Sequence, residues 1–282
     1  MKLVSFAHAG RESWGTLDGK TIRDLGSLEI AAGRRLGEVL RDGDLTTMAA
    51  HADAATLRRR SEVQLLAPVP DAQKIICVGL NYADHIAEMN RATPEKPVIF
   101  TRFADSLVGD GEALVAPGNS TSFDYEGEFA VVIGREARHV DEADALDHVL
   151  GYTIMNDGSI RDYQRHTSQF TPGKNFPRSG SLGPAIVTAD EFGAVGSQNI
   201  RTLVNGQLVQ DSTLDQLVFD VARLVSYCSE WTTLRPGDII ATGTPGGVGD
   251  GRDPALWLVP GDVVEISVDG LGSLITPVSE EV

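Results

Sequence analysis

Glu126 and Glu128, separated by Gly127 at the entrance of the apolar run Phe129-Ala-Val-Val-Ile133, are the residues best placed to do chemistry. In an extended strand alternate side chains point the same way, so the two carboxylates face one small volume. Like charges so placed repel, and burying them uncompensated is costly, so the pair belongs either in water or around a cation. An isolated E-x-E is more often a solvated strand end. Here the run that follows is apolar on both faces, as in a strand covered on both sides, and draws the glutamates inward. Asp157 closes the next apolar run, Leu150-Gly-Tyr-Thr-Ile-Met-Asn156, and joins the glutamates if the two runs pair. Three carboxylates without histidine or cysteine describe a site for a hard cation: Mg²⁺, or alternatively Mn²⁺ or Ca²⁺. With a divalent ion the set carries a net charge of about −1, which an anionic substrate can still approach.

Further candidates lie on either side. Lys74-Ile-Ile-Cys-Val-Gly79 reads as a short buried strand leading into Asn81-Tyr-Ala-Asp-His85-Ile-Ala-Glu88-Met-Asn90. If that segment is helical, His85 and Glu88 share a face. A carboxylate beside an imidazole raises its basicity and fixes its tautomer, as a general base requires. An incidental surface pair is the plainer alternative. Lys174 follows Pro172-Gly173 in what reads as a loop, free to point inward, although most loop lysines are merely solvated. Ala241-Thr-Gly-Thr-Pro-Gly-Gly-Val-Gly249 is a glycine-rich loop able to bring backbone N–H groups and a hydroxyl close to a ligand. It matches neither a P-loop nor G-x-G-x-x-G, and no G-x-S-x-G or H-E-x-x-H occurs in the chain.

These residues need a scaffold, and the chain is long enough to build one. Its 282 residues, 41% of them apolar, can bury a full core. Pro68-Val-Pro70 marks a boundary, since proline on both sides of one residue stops either kind of element. Residues 1–70 then read as a small α+β domain, with strands at 2–6, 13–17 and 21–25 and short helices between Leu36 and Arg60; residues 71–282 hold the candidate site. Leu214, Leu217, Val218, Val221, Leu224, Val225 and Cys228 follow the i, i+3, i+4 pattern, and the spacing predicts a helix from Thr213 to Glu230, with Thr213 and Gln216 as a capping box. Pro-Gly before a β-branched strand occurs twice, at 236–240 and 260–264.

A balance of 24 basic against 40 acidic residues gives −16, which argues against nucleic acid or an anionic membrane as partner. No apolar stretch approaches the ~18 residues of a membrane helix, and the start has too short an apolar patch for a signal peptide. Cys77 and Cys228 read as ordinary buried thiols of a reducing compartment, so cytoplasmic residence is expected.

Taken together, Val78-Gly-Leu-Asn-Tyr-Ala-Asp-His85-Ile-Ala-Glu88, Asp124-Tyr-Glu126-Gly-Glu128-Phe-Ala-Val-Val-Ile-Gly134, Asn156-Asp157-Gly-Ser-Ile-Arg161-Asp-Tyr-Gln164, Pro172-Gly-Lys174-Asn-Phe176 and Gly237-Asp-Ile-Ile-Ala-Thr-Gly-Thr244-Pro-Gly-Gly-Val-Gly249 resemble the fumarylacetoacetate hydrolase family, in that family's order from residue 75 to about 280. The resemblance implies a β-rich, mixed-sheet roll behind the small N-terminal domain, α+β in class, and a homodimer. It also implies that Glu126, Glu128 and Asp157 hold Mg²⁺ or Mn²⁺ and that His85 with Glu88 forms a catalytic dyad on a segment that can order as a lid. Lys174, Gln164 and Thr244 are implied to contact substrate, with Arg102 and Arg161 as further expected contacts. The chain departs from the family at Gly158 and Ile160, where Val and Ala are frequent, and at Pro177, where an aspartate is; these bear on the loop behind Lys174 and on substrate size.

The expected substrate is a small 2-oxo acid with a second carbonyl two carbons further on. The first expectation is metal-dependent C–C hydrolysis of a 2,4-dioxo acid, in which His85 activates water and Lys174 stabilises the pyruvate-type enolate. The same enolate without water attack gives an isomerase or tautomerase, and with loss of CO₂ a decarboxylase. From another class, a non-catalytic cation binder would need neither the His85/Glu88 pair nor Lys174.

Overall fold

The computed structural model describes residues 1–31, 33–88 and 92–281. Its centre is the Gly127–Ile133 strand, every residue of which is buried. Phe129, Val131 and Ile133 point into a core shared with Ile200, Val204, Val264 and Ile266, while Ala130 packs with Ile75, Met155 and Ile239 on the opposite side. Side-chain alternation on a strand covered on both faces accounts for the continuous apolar run.

This strand lies within a twelve-stranded mixed sheet that runs, edge to edge, Thr56–Arg59, Thr21–Asp24, Arg11–Asp18, Lys2–His8, Gly180–Thr188, Val149–Asn156, Gly127–Ile133, Ile239–Ala241, Ile75–Gly79 and Val98–Arg102, with Gln64–Leu65 and Leu107–Val108 pairing off that path. A five-stranded sheet, from Gln207–Thr213 through Asn199–Val204, Val263–Val268 and Gly272–Glu280 to Leu114–Ala116, packs over it. The β-rich mixed-sheet roll of the α+β class stands. Lys2 and Leu3 pair with Val187 and Ile186, so the first seventy residues extend the main sheet, and Leu3, Trp14, Leu36 and Val39 share a cluster with Val132. Among the described residues no helix is long and apolar enough to cross a membrane.

Three local expectations are corrected. The Phe123–Gly134 run is divided: Phe123–Asp124 pairs with Ser159–Ile160, and the main-sheet strand begins at Gly127. Thr56–Arg59, within the stretch read as helical, is a strand that covers the edge at Thr21–Asp24. The helix expected from Thr213 starts at Val221 and runs to Trp231, capped by the Asp220 carboxylate, which accepts from the Arg223 N–H at 2.9 Å. Thr213 instead ends a strand paired with Asn199, and Asn81 accepts from the backbone N–H groups of Val218 and Phe219, so these amides are committed to tertiary bonds before a helix can use them. The apolar stripe survives in Val221, Leu224, Val225 and Cys228.

Candidate active site

The pairing that the carboxylates require is present. Gly127 sits opposite Asn156 and Glu128 opposite Met155 in the antiparallel ladder, so Asp157 leaves its strand beside Glu126. The Asp157 N–H donates to the Glu126 carbonyl at 2.9 Å, and the Glu126 N–H to the Asn156 side chain at 3.0 Å. Gly127 faces the second sheet, where a Cβ would stand 2.2 Å from Thr202 Oγ1, so only glycine fits between the glutamates. Glu126, Glu128 and Asp157, exposed by 5%, 1% and 0%, each offer an oxygen, and these oxygens lie within 4.8 Å of one another.

Three buried cations surround them. Lys174 Nζ lies 2.7 Å from both Glu126 Oε2 and Asp157 Oδ2. It does not sit in a loop as expected, but ends a helical turn, Thr171–Lys174, that packs by Gly173 against the backbone of Gln164. Arg161 reaches Asp124 Oδ2 at 2.8 Å and Glu126 Oε1 at 2.7 Å, and donates to Gln164 Oε1 at 2.9 Å. Arg102 donates to Asp157 Oδ1 at 2.7 Å, to the Gly158 carbonyl and to Ser179 Oγ; it stands behind the carboxylates rather than among the residues lining the cavity.

Four buried carboxylates, counting Asp124, thus meet three cations, and Glu128 is the acid without a cationic partner. Burial, then the charges of Asp157 and Glu126, push its carboxyl well above the usual range. For Glu126 burial acts upward too, but Lys174 and Arg161 outweigh it and bring the group to about 2. The same two carboxylates, Asp157 and Glu126, overcome burial to raise Lys174. An all-oxygen set with one uncompensated acid fits a hard divalent cation.

A cavity of about 480 Å³ opens in front of the carboxylates, lined by His85, Phe100, Gln164, Arg165 and Thr244 among others. His85 Nδ1 lies 3.2 Å from Glu88 Oε2 within the Ala83–Glu88 helix, which leaves Nε2 as the basic ring nitrogen. Burial acts to raise Glu88, but the hydrogen bonds with His85 and from the Gly247 N–H hold it below its ordinary value. The continuation of the His85 segment at Met89 and Asn90 falls outside the described residues.

The glycine-rich loop serves carboxylates of the protein itself. Its N–H groups go from Gly243 to Glu128, from Gly247 to Glu88, and from Gly249 and Asp250 to Asp124. The Thr244 hydroxyl lines the cavity but donates to the Gly127 carbonyl at 2.9 Å. Sequence reading passed over Arg165, which lines the cavity with 58% of its side chain exposed and pairs with Asp250, and over Asp124 and Arg252. The Asp-Tyr-Glu-Gly-Glu motif carried a signal for Asp124; Arg165 had none beyond its place after Gln164.

The departure at Gly158 has a local cause. A Cβ at Gly158 would stand 2.0 Å from the Ser179 carbonyl, and Ile160 pairs with Phe123. Behind Lys174, Asn175 accepts from the Phe103 N–H at 2.6 Å and donates to the Thr101 and Thr171 carbonyls, tying the start of the Pro177 loop to the Val98–Arg102 strand.

Comparison with known proteins identifies the family. Residues 74–279 match the model of the fumarylacetoacetate hydrolase C-terminal family, and residues 1–68 match a second model, Rv2993c-like, N-terminal. The chain is 41% identical over 266 residues, 93% of its length and 83% of the relative's, to oxaloacetate tautomerase fahd2, mitochondrial, of Xenopus laevis. It superposes with a TM-score of 0.88 and 37% identity, over 100% of both chains, on a fumarylacetoacetate hydrolase from Exiguobacterium antarcticum. At a TM-score of 0.83 and 28% identity, again over 100% of both chains, it is similar to a maleylpyruvate hydrolase from Sphingobium sp. SYK-6 in complex with manganese(II) and pyruvate. Matched by that family's model over residues 74–279 and by a relative over nearly its whole length, the chain belongs to the fumarylacetoacetate hydrolase family of enzymes.

Proposed function

We propose that this chain is a divalent-metal-dependent tautomerase of 2-oxo acids, with a dicarboxylic acid of the oxaloacetate type as its substrate class. The observation that carries the reading is the acid–base pair of His85 with Glu88, whose imidazole lines a cavity shared with the carboxylate set and Lys174. One proton carrier is sufficient for keto–enol exchange, whereas hydrolysis needs an ordered water and the exit of two products besides. The 41% identity to a protein named an oxaloacetate tautomerase supports the same choice, and it reverses the order expected from sequence, where hydrolysis came first.

Mg²⁺ or Mn²⁺ held by Glu126, Glu128 and Asp157 would supply a Lewis-acid anchor for the carboxylate and 2-oxo oxygens of the substrate. His85 Nε2 takes a proton from the carbon next to the carbonyl, the electron pair forms the C=C bond, and the carbonyl oxygen gains negative charge. Glu88 holds the ring in the tautomer that accepts this proton. Lys174, whose protons are directed at Glu126 and Asp157, contributes fixed positive charge at the enolate. Return of that proton from His85 to the enolate oxygen completes the isomerisation, with no change in mass. Arg161 and Arg165 add positive charge to the cavity wall, which suits a dianion.

The second reading is hydrolysis of a 2,4-dioxo acid. It rests on the structural likeness to the maleylpyruvate hydrolase and on a cavity large enough for a longer acyl chain. The homodimer and a cytoplasmic site of action complete the proposal, although the Xenopus relative is named mitochondrial. The test supplies enol-oxaloacetate or acylpyruvates with Mg²⁺. Faster loss of enol absorbance with oxaloacetate as the product supports the tautomerase; cleavage of acylpyruvates without accelerated enol loss overturns it.

A further inference from the structure

From the geometry we infer that Arg252 is a positioning residue for the acid–base pair, acting through one residue of the glycine-rich loop, Gly247, whose N–H and C=O flank a single α-carbon. The Gly247 N–H donates to both oxygens of the Glu88 carboxylate, at 3.0 and 3.2 Å. The carbonyl of the same residue, Gly247, accepts from Arg252 Nη2 at 3.2 Å and Nε at 3.3 Å, and from the Tyr125 hydroxyl at 3.0 Å. Arg252 Nε also donates to the Tyr125 oxygen at 3.1 Å, and Nη2 to the Val209 carbonyl at 2.7 Å. A guanidinium presents its donors in one rigid plane, so it can bind two carbonyl oxygens and a phenol at once.

The backbone at Gly247 depends on that clamp. Its φ is +100°, and a Cβ there would stand 2.1 Å from the Val209 carbonyl oxygen, so loop and strand approach at a separation that only glycine allows. Two carbonyl oxygens are thereby turned towards one region, and Arg252 is the cation that satisfies both. Gly251 closes the opposite side, where a Cβ would meet the Glu88 carboxyl at 2.7 Å. Glu88 in turn fixes His85 Nδ1. Arg252, Gly247, Glu88 and His85 therefore form one chain of contacts that docks the Ala83–Glu88 helix against the loop and sets the imidazole's orientation. Arg252 is not among the residues lining the cavity, and its hydrogen bonds go to Tyr125, Gly247 and Val209 rather than to the carboxylate set.

This inference rests on His85 and Glu88 carrying the proposed proton transfer, and the test separates the two claims. Arg252→Met should lower kcat for enol-oxaloacetate with Mg²⁺ by about 10- to 100-fold, the scale expected when a group that orients a reacting residue is lost. KM and the affinity for Mn²⁺ alone should stay within about threefold, and Arg252→Lys should recover part of the loss. In a Glu88→Gln background Arg252→Met should cost nothing more, because its route to His85 is already broken. Independent of turnover, amide exchange over residues 83–88 should quicken in Arg252→Met.

A purely structural staple gives the opposite pattern: losses that multiply with Glu88→Gln, or a fall in KM quality and Mn²⁺ affinity together with kcat. Either overturns the inference, as does unchanged turnover with unchanged exchange. If Arg252→Met does not fold, Tyr125→Phe decides, since its smaller loss of kcat must vanish in the Glu88→Gln background. Wild-type turnover by His85→Ala would sink the proton-transfer reading itself; an inactive His85→Ala beside a fully active Arg252→Met would sink only the role of Arg252.

Discussion

Arg102 Nη1 donates to Oδ1 of Asp157 at 2.7 Å, while the other oxygen of that carboxylate meets Lys174. Arg102 belongs to the Val98–Arg102 strand at the sheet edge, and Asp157 directly follows the Val149–Asn156 strand nearer its middle, so this pair reaches across the sheet to aim one of the three carboxylates. With both side chains fully buried, removing Arg102 leaves the four buried carboxylates of the site facing two cations, Lys174 and Arg161, instead of three. Arg102→Met should weaken Mn²⁺ binding by about 10- to 100-fold and destabilise the metal-free protein by about 3–5 kcal/mol. Calorimetric titration and urea unfolding check both; unchanged metal affinity would mean that Arg102 does not orient Asp157.

Glu128 makes metal-free stability depend on pH. Its folded-state carboxyl is raised, by burial and then by Asp157 and Glu126, above the ordinary value of 4.5. A raised pKa adds stability that is full below the unfolded value and is lost as pH rises through the folded one. Chelator-treated protein should therefore lose stability from the ordinary carboxylate range upward, Glu128→Gln should lose less over that window, and Mg²⁺ should restore the wild type. Unfolding curves across mildly acid to mildly alkaline pH measure this; identical slopes for both proteins would contradict it.

Removing the proton carrier and removing a ligand should give separable phenotypes. His85→Ala should cut kcat by about 10²- to 10⁴-fold with Mn²⁺ affinity intact, the range for a lost general base. Glu126→Ala should lose Mn²⁺ binding and turnover together. Activity that survives thorough chelation of the wild type would refute metal dependence.

Arg165 should read the second carboxylate of the substrate. Its side chain is largely exposed, at the cavity wall, and its partner Asp250 is tied to Asp124 through the backbone. Arg165→Gln should raise KM for oxaloacetate about tenfold, the loss of one charge-assisted hydrogen bond, and leave KM for a 2-oxo monocarboxylate unchanged. An equal rise for both substrates would remove Arg165 from specificity.

The parts of the site that obey short periods were legible in the chain's residue order alone. Glu126 and Glu128 share a face because a strand repeats every two residues, and His85 and Glu88 meet because a helix brings i and i+3 together. The doubly apolar run at 129–133 disclosed a strand covered on both faces, and Asp157 at the end of the next run needed only the pairing of neighbouring strands. Tertiary structure decided everything carried by long-range contact. Lys174 became a buried ion-pair partner because Gly173 packs on Gln164, and Arg102 turned to Asp157 because the chain that follows it, Leu107–Val108, returns to pair with Gly180–Ser181 beside Asn156. The helix read from Thr213 began at Val221 because Asn81, far away in the chain, had taken the intervening amides. Local periodicity carries no information on such partners, since they are selected by which strands neighbour one another and in what register.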